Sequence, residues 1–295
     1  MMSRYITISG IFSKRSIPAI LLATITVYSA FLQNAVGQPE ADTLQWETVR
    51  METGVYWKHY LGDKLYDSKQ SINLIEVWLD SSNVRTQVAF DDDSLYQTSR
   101  LAERREAIAA INGSFFNREG GNPIPFLKID GKVISEGVAR RSLYIDNSGI
   151  AITENGDLKI IKKPQEGWKE IKYPTVMSSG PLLIYRGKIE PFVQDPFHEN
   201  RHPRTAVALT NDNRLYLVTI DGRSFQSYGM TIRELAEFLK ELGAVRALNL
   251  DGGGSTTMWI DTPSKSGIVN YPSDNLEFDH EGERSISNAL LIIHR

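Results

Sequence analysis

The residues in this 295-residue chain able to do chemistry fall in a few short runs that join a charge or an amide to glycines and hydroxyls. Asn249-Leu250-Asp251-Gly252-Gly253-Gly254-Ser255-Thr256-Thr257-Met258 sets a carboxylate at the end of an apolar run, then three glycines, then three hydroxyl groups. Consecutive glycines lose much conformational freedom on ordering. That cost makes sense where backbone N–H groups must approach an anion in a concavity; a tight turn with a solvated aspartate fits the same spacing. Asn112-Gly113-Ser114-Phe115-Phe116-Asn117 has a similar layout. By itself it is a turn-forming Asn-Gly, and in cramped surroundings Asn112 becomes an internal or ligand hydrogen-bonding group. Arg204 precedes one strand-like run, and Asp221-Gly222-Arg223 follows the next. Arginine grips phosphate oxygens through a planar two-point fork that lysine cannot copy, although solvated arginines at strand ends are common. Asp251, Asp221 and Glu283 supply the carboxylates, and paired carboxylates suit glycoside cleavage, one at the sugar carbon and one handling protons.

Other chemistries lack their residues. There is no cysteine, which excludes disulfides, thiolate catalysis and cysteine metal sites. The histidines at 59, 198, 202, 280 and 294 lack the close helical spacing of a zinc site. No Gly-Lys-Ser/Thr ending follows the glycines, so they are not a nucleotide P-loop, and no Gly-x-Ser-x-Gly nucleophile elbow occurs. Asp91-Asp92-Asp93 reads as a solvated loop. The sequence requires no cofactor; a divalent cation such as calcium, held by aspartate and backbone oxygens, stays compatible with it.

The elements that must position these residues are mostly strands. Residues 72–79 and 84–90 are rich in branched and aromatic side chains, with turn chemistry at 80–83. Residues 97–107 suggest a short helix with Ser99 as its cap, and Ile108–Ile111 a buried strand. Short strands recur at 126–129, 142–145 and 182–185 between glycine or asparagine turns. Thr205–Leu209 and Leu215–Ile220, joined by Asn211-Asp212-Asn213, predict a hairpin. Thr231 and Glu234 form a capping box ahead of Ile232, Leu235, Ala236, Leu239 and Leu242 at helical spacing, and Gly243 ends that helix. A strand follows at 245–250, and another at 285–293 ends the chain. The expected fold class is α+β, a mostly antiparallel β-sheet core with a few helices in a single domain.

The N-terminus reads as an export signal over residues 1–37: Arg4, Lys14 and Arg15, an apolar stretch from Ile17 to Leu32, then the small residues of Ala35-Val36-Gly37. The apolar stretch is shorter than a spanning helix needs, about 20 residues. The expectation is therefore an exported, periplasmic or secreted protein with no permanent membrane span after cleavage. A polar leader is expected over 38–53 and the working domain over 54–295. Cleavage removes three of the 33 basic residues and none of the 36 acidic ones, moving the formal charge from −3 to −6. That balance argues against a nucleic-acid partner.

Taken together, Asn112-Gly113-Ser114-Phe115-Phe116, Arg204-Thr205-Ala206, Asp221-Gly222-Arg223, Gly229-Met230-Thr231, Asn249 to Thr256, and Arg284 with Asn288-Ala289-Leu290 stand in the order seen in one family. Over roughly residues 105–294 the chain resembles the phosphodiester glycosidases, which include the lysosomal mannose-6-phosphate uncovering enzyme and bacterial exopolysaccharide-associated proteins. The resemblance implies a hydrolase that cuts between a sugar anomeric carbon and a phosphodiester oxygen, here in an envelope or extracellular glycan. Its partner would be a sugar-1-phosphodiester or an anionic glycan. The expected roles follow. Arg204 and Arg223, with Arg284 nearby, bind the phosphate. The N–H groups of Gly252, Gly253 and Gly254 complete the cradle with Ser255 or Thr256, and Asn112 orients an oxygen. Asp251 or Asp221 faces the anomeric carbon, with Glu283 a further catalytic candidate. Two alternatives remain: a non-catalytic binding or assembly protein for an anionic exopolysaccharide, and a phosphodiesterase cutting on the phosphate side.

Overall fold

A computed structural model describes residues 44–92, 94–137, 144–262 and 265–295. The export-signal segment lies outside them, as do residues 142 and 143 of the strand expected at 142–145; Tyr144 and Ile145 lie in a turn. In chain order the elements begin with β1 (Glu47–Glu52), β2 (Val55–Leu65), β3 (Ser68–Trp78), β4 (Val84–Phe90), α1 (Thr98–Glu103) and β5 (Ala109–Asn112). The middle contributes β6 (Phe126–Ile129), β7 (Lys132–Glu136), β8 (Ser148–Ile152), β9 (Leu158–Lys162), β10 (Thr175–Ser179), β11 (Leu182–Tyr185), β12 (Lys188–Ile189) and α2 (Pro196–Glu199). Then come β13 (Arg204–Thr210), β14 (Arg214–Ile220), α3 (Ile232–Glu241), β15 (Ala244–Asn249), β16 (Met258–Asp261), β17 (Ser266–Ile268) and β18 (Asn288–His294).

The strands form three antiparallel sheets. One runs β1-β2-β3-β14-β13-β15-β11-β12, the second β7-β6-β10-β8-β9, and the third β17-β16-β5-β18-β4. All three turn apolar faces onto one core that includes Ile75, Leu217, Leu248, Ile111, Leu290, Ile150 and Met177. The period-2 pleat divides the central hairpin. Leu215 and Leu217 enter this shared core, whereas Tyr216, Val218 and Ile220 face the opposite side with Ala206 and Ala208. There α3 lays Leu235, Phe238 and Leu239 over the sheet, seated on the small Ala206, Ala208 and Ala247. Its capping box is formed as expected, with Thr231 and Glu234 bonding each other's backbone N–H, and Gly243 leaves the helix at φ 87°. In the same way α1 covers the third sheet, with Leu101 and Ala102 against Ala110, Trp259 and Leu291.

Two expectations change. The segment expected over 38–53 as a polar leader outside the working domain contains β1, paired with β2 from Glu47↔His59 to Glu52↔Val55. Its polar sequence fits an edge strand with largely exposed side chains, anchored by Trp46 rings against Tyr60 and Phe238. The turn expected at 80–83 is present, with turn residues at 79–81, and it carries the chain from the first sheet to the third. Ser99 lies inside α1, whose cap position is Gln97.

Candidate active site

Antiparallel register brings the chemical motifs to one end of the sheets. β13 starts at Arg204 opposite Ile220, the last residue of β14. β15 ends with Asn249 opposite Ala206. In the third sheet β5 ends with Asn112 opposite Ala289 near the start of β18. Asn112 then ties the two sheets together. Its Nδ2 donates to the Asp251 carbonyl at 2.6 Å. Its Oδ1 accepts from the Thr205 hydroxyl at 2.7 Å and the Thr257 N–H at 3.1 Å. With the Asp251 N–H donating to the Gly113 carbonyl at 3.0 Å, both sides of the Asp251 peptide are pinned. Asn112 is fully buried, and these bonds make it a residue that positions Asp251.

Two of the three glycines make room for charged side chains. Gly253 has φ 62°, and a Cβ there would sit 2.9 Å from Arg223 Nη2. A Cβ on Gly254 would collide with Arg284 and Asp274. The backbone N–H cradle expected from sequence is largely spent within the protein. Gly252 N–H donates to the Asp251 carboxylate at 3.0 Å, and the N–H groups of Gly253, Ser255 and Thr256 donate to Pro203, Gly252 and Gly253 carbonyls. Ser255 and Thr256 are buried; Ser255 accepts from Arg284 Nη1 at 3.4 Å.

The charges differ in how far they are withdrawn from solvent and in how fully they are paired. Asp251 is surrounded by protein yet keeps part of its surface open. Burial pushes its carboxyl up to about 6, against the opposing pull of Ser255, Arg284, the Gly252 N–H and Arg118. Arg223 lies on the triple glycine at φ 64°. It is an exposed residue, and its guanidinium has no hydrogen bond or ion pair among the described residues. Arg284 is bidentate to Asp274, through Nε at 3.0 Å and through Nη2. That contact holds the Asp274 carboxyl below the usual range.

Arg204 departs from expectation. The pleat sends it to the helix-covered face with Ala206 and Ala208, while Thr205 turns inward to Asn112. It is 1% exposed, donates to the carbonyls of Met230, Phe197 and Asn200, and lies over the Phe197 ring at 4.8 Å. Burial pushes its pKa down to about 9. Arg204 therefore fastens α2 and the start of α3. Asp221 is likewise withdrawn. Its carboxylate accepts from the Ser71 hydroxyl at 2.6 Å, Asn270 Nδ2 at 2.9 Å and the Tyr271 N–H at 2.9 Å, and burial raises it to about 6. Glu283 accepts from the Ser99 N–H and hydroxyl, at 2.8 and 2.6 Å. It caps the first turn of α1 from 184 residues away in the chain.

Three residues outside the sequence-derived set join the centre. Asp274 holds Arg284. Arg118, next after Asn117 of the first motif, bears electrostatically on Asp251 and Asp274. The imidazole of His202 lies near the charges of Arg204 and Arg223 and is driven toward its neutral form by burial and by those charges. Only Arg118 carried a sequence signal, its place beside a motif. No group of three or more His, Asp or Glu that could hold a metal ion occurs among the described residues, and no described helix is long and apolar enough to cross a membrane.

The arrangement is a partly exposed carboxylate under the charges of Arg284 and Arg118, with the unpaired Arg223 guanidinium on the adjoining Gly253, fit for a substrate carrying an anion beside an electrophilic carbon. The N-acetylglucosamine-1-phosphodiester alpha-N-acetylglucosaminidase of Mus musculus is 27% identical over 179 residues, 57% of this chain and 34% of that protein. The Bos taurus enzyme is 30% identical over 185 residues, 57% and 33% of the two chains. An uncharacterized prophage-derived protein of Bacillus subtilis is 24% identical over 227 residues, 72% and 31%. The chain thus spans about a third of the length of these curated relatives. The catalytic domain of the zebrafish glucosaminidase, solved in a form auto-inhibited by its pro-peptide, shares the fold with a TM-score of 0.62 at 22% identity, over 88% of this chain and 91% of that one. Residues 105–293 match the family model for phosphodiester glycosidases, and the chain belongs to that family.

Proposed function

We propose that the protein hydrolyses the bond between a sugar anomeric carbon and a phosphodiester oxygen, acting beyond the cytoplasmic membrane on an envelope or extracellular glycan. The observation that carries this reading is the partly exposed Asp251 under the charges of Arg284 and Arg118, with the unpaired Arg223 guanidinium on the nearby Gly253. In this reading Arg223, with Arg118 and Arg284, binds the phosphate oxygens. Fixed positive charge there stabilises the departing phosphate monoester as its bond to carbon lengthens. A phosphate is already a good leaving group, so little proton donation is needed. The remaining task is to meet developing positive charge at the sugar carbon, which falls to ionised Asp251 as nucleophile or base. Guanidinium groups supply the positive charge, and the reading calls on no divalent cation. Export is supported by the signal-like first 37 residues and the cysteine-free composition.

The test is turnover of a panel of sugar-1-phosphodiesters in water enriched in heavy oxygen. Label in the released sugar supports the proposal; label in the phosphate would mark a phosphodiesterase. Asp251→Asn should cost at least about 100-fold in kcat while the protein stays folded. Binding across an anionic glycan panel without turnover would favour the assembly-protein alternative.

A further inference from the structure

Among the described residues the two most exposed large apolar side chains are Leu276, 87% exposed, and Phe225, 81% exposed. Scattered apolar residues on a surface need no explanation, but these two are not scattered. Phe225 stands two residues beyond Arg223 and Leu276 two beyond Asp274, on the loops that supply the groups packed against Gly253 and Gly254. Tyr228, 46% exposed, shares the loop of Phe225.

That loop is held rigid. The Ser224 N–H donates to the Ser227 carbonyl at 3.1 Å, and the Ser224 hydroxyl accepts from the N–H groups of Gln226 and Ser227, at 3.3 and 3.1 Å. The buried Ser227 hydroxyl donates to the Asp221 carbonyl at 2.7 Å and accepts from the Ser71 N–H at 2.9 Å. The Tyr228 N–H donates to the Lys69 carbonyl at 3.0 Å. The backbone that carries Phe225 is therefore ordered before any partner arrives, which lowers the entropy lost when one covers the ring.

Building on the proposed reaction, we propose that Phe225, with Tyr228 beside it, is the platform for a sugar ring on the leaving-group side of the phosphodiester. Two residues span at most about 7 Å between Cα atoms, so Phe225 and the phosphate-binding Arg223 rise from the same short stretch of backbone. The electron-rich face of an aromatic ring suits the C–H face of a pyranose. The neighbouring loop, with Asp274, Glu277, Asp279 and Glu281 around Leu276, repels an anionic lipid surface and accepts a neutral sugar. Phe225 thus selects for a glycosyl group where the phosphate alone would accept any alcohol.

The experiment compares wild type, Phe225→Ala and Phe225→Trp on two diesters of N-acetylglucosamine-1-phosphate, one esterified with methanol and one with a hexose. Phe225→Ala should raise KM for the hexosyl diester about five- to tenfold, leave the methyl diester unchanged, and be rescued by Phe225→Trp. Equal effects on the two diesters, or none, would overturn the platform and leave the proposed reaction standing. If wild type hydrolyses neither diester, the proposed reaction fails for these substrates, and saturation-transfer NMR decides the platform. Hexosyl-ring contacts present in wild type and lost in Phe225→Ala support it, whereas contacts that persist or never occur refute it.

Discussion

Arg223 and Asp251 each accept a cost that their position explains. A non-glycine residue in the left-handed region is strained by about 1 kcal/mol or more, and Arg223 sits there at φ 64°. Arg223→Gly should therefore hold or raise the thermal midpoint while lowering kcat/KM by about 100-fold. A fall in both would mean that the side chain supports the fold. Asp251 makes a pH prediction with opposite signs for activity and stability. The ionised form acts in catalysis, so kcat/KM should decline as pH drops through about 6. The folded-state pKa is raised above the unfolded value, about 4. The group's contribution to stability is thus full below pH 4 and is lost as pH climbs through 6. Denaturation midpoints measured between pH 4 and 7 should show a slope that Asp251→Asn reduces. A slope unchanged in that variant would place the buried charge elsewhere.

At the scale of elements, the question is what keeps five strand ends in register, and Asp221 and Glu283 are part of the answer. Asn at 221 can accept from Asn270 and Tyr271 through its oxygen and donate to a reversed Ser71 hydroxyl. Asp221→Asn should then fold normally and retain turnover within a few-fold. Asp221→Ala strands three buried donors, and should lose about 3 kcal/mol in chemical denaturation. A loss of about 100-fold in kcat for folded Asp221→Asn would return this carboxylate to the chemistry. Glu283→Gln should lower stability by about 1 kcal/mol through α1 with kcat unchanged. The sequence made such elements legible where the signal is local. The capping box of α3, the β13–β14 hairpin and β6 stand as expected because each is set by a turn, a cap or an alternation within a dozen residues. The side-chain destinations were less legible. Arg204 opens a strand as expected, yet the pleat sends it under α2, and only the identity of the covered face could have told that. Glu283 reaches Ser99 across 184 residues, and Asp274 meets Arg284 by a loop fold that no periodicity encodes.

For the molecule as a whole, the global charge and the local charge have opposite signs. From Gln38 onward the chain carries a formal −6, and a phosphodiester is an anion, so the net charges repel. The site itself offers Arg223 and Arg118 with Arg284, set against Asp274 and partly ionised Asp251. Charges farther apart than about 8–10 Å are largely screened at physiological salt, whereas those lining a concavity act on a ligand at contact and focus the field there. The two contributions predict opposite responses to ionic strength. If long-range repulsion governs encounter, added salt raises kcat/KM. If the guanidinium cluster governs it, salt lowers kcat/KM, chiefly through KM, and the dependence weakens in Arg223→Ala and Arg118→Ala. The second outcome is expected for sodium chloride between about 20 and 300 mM. A rise with salt, or a fall of equal steepness in both variants, would show that these arginines do not receive the phosphate.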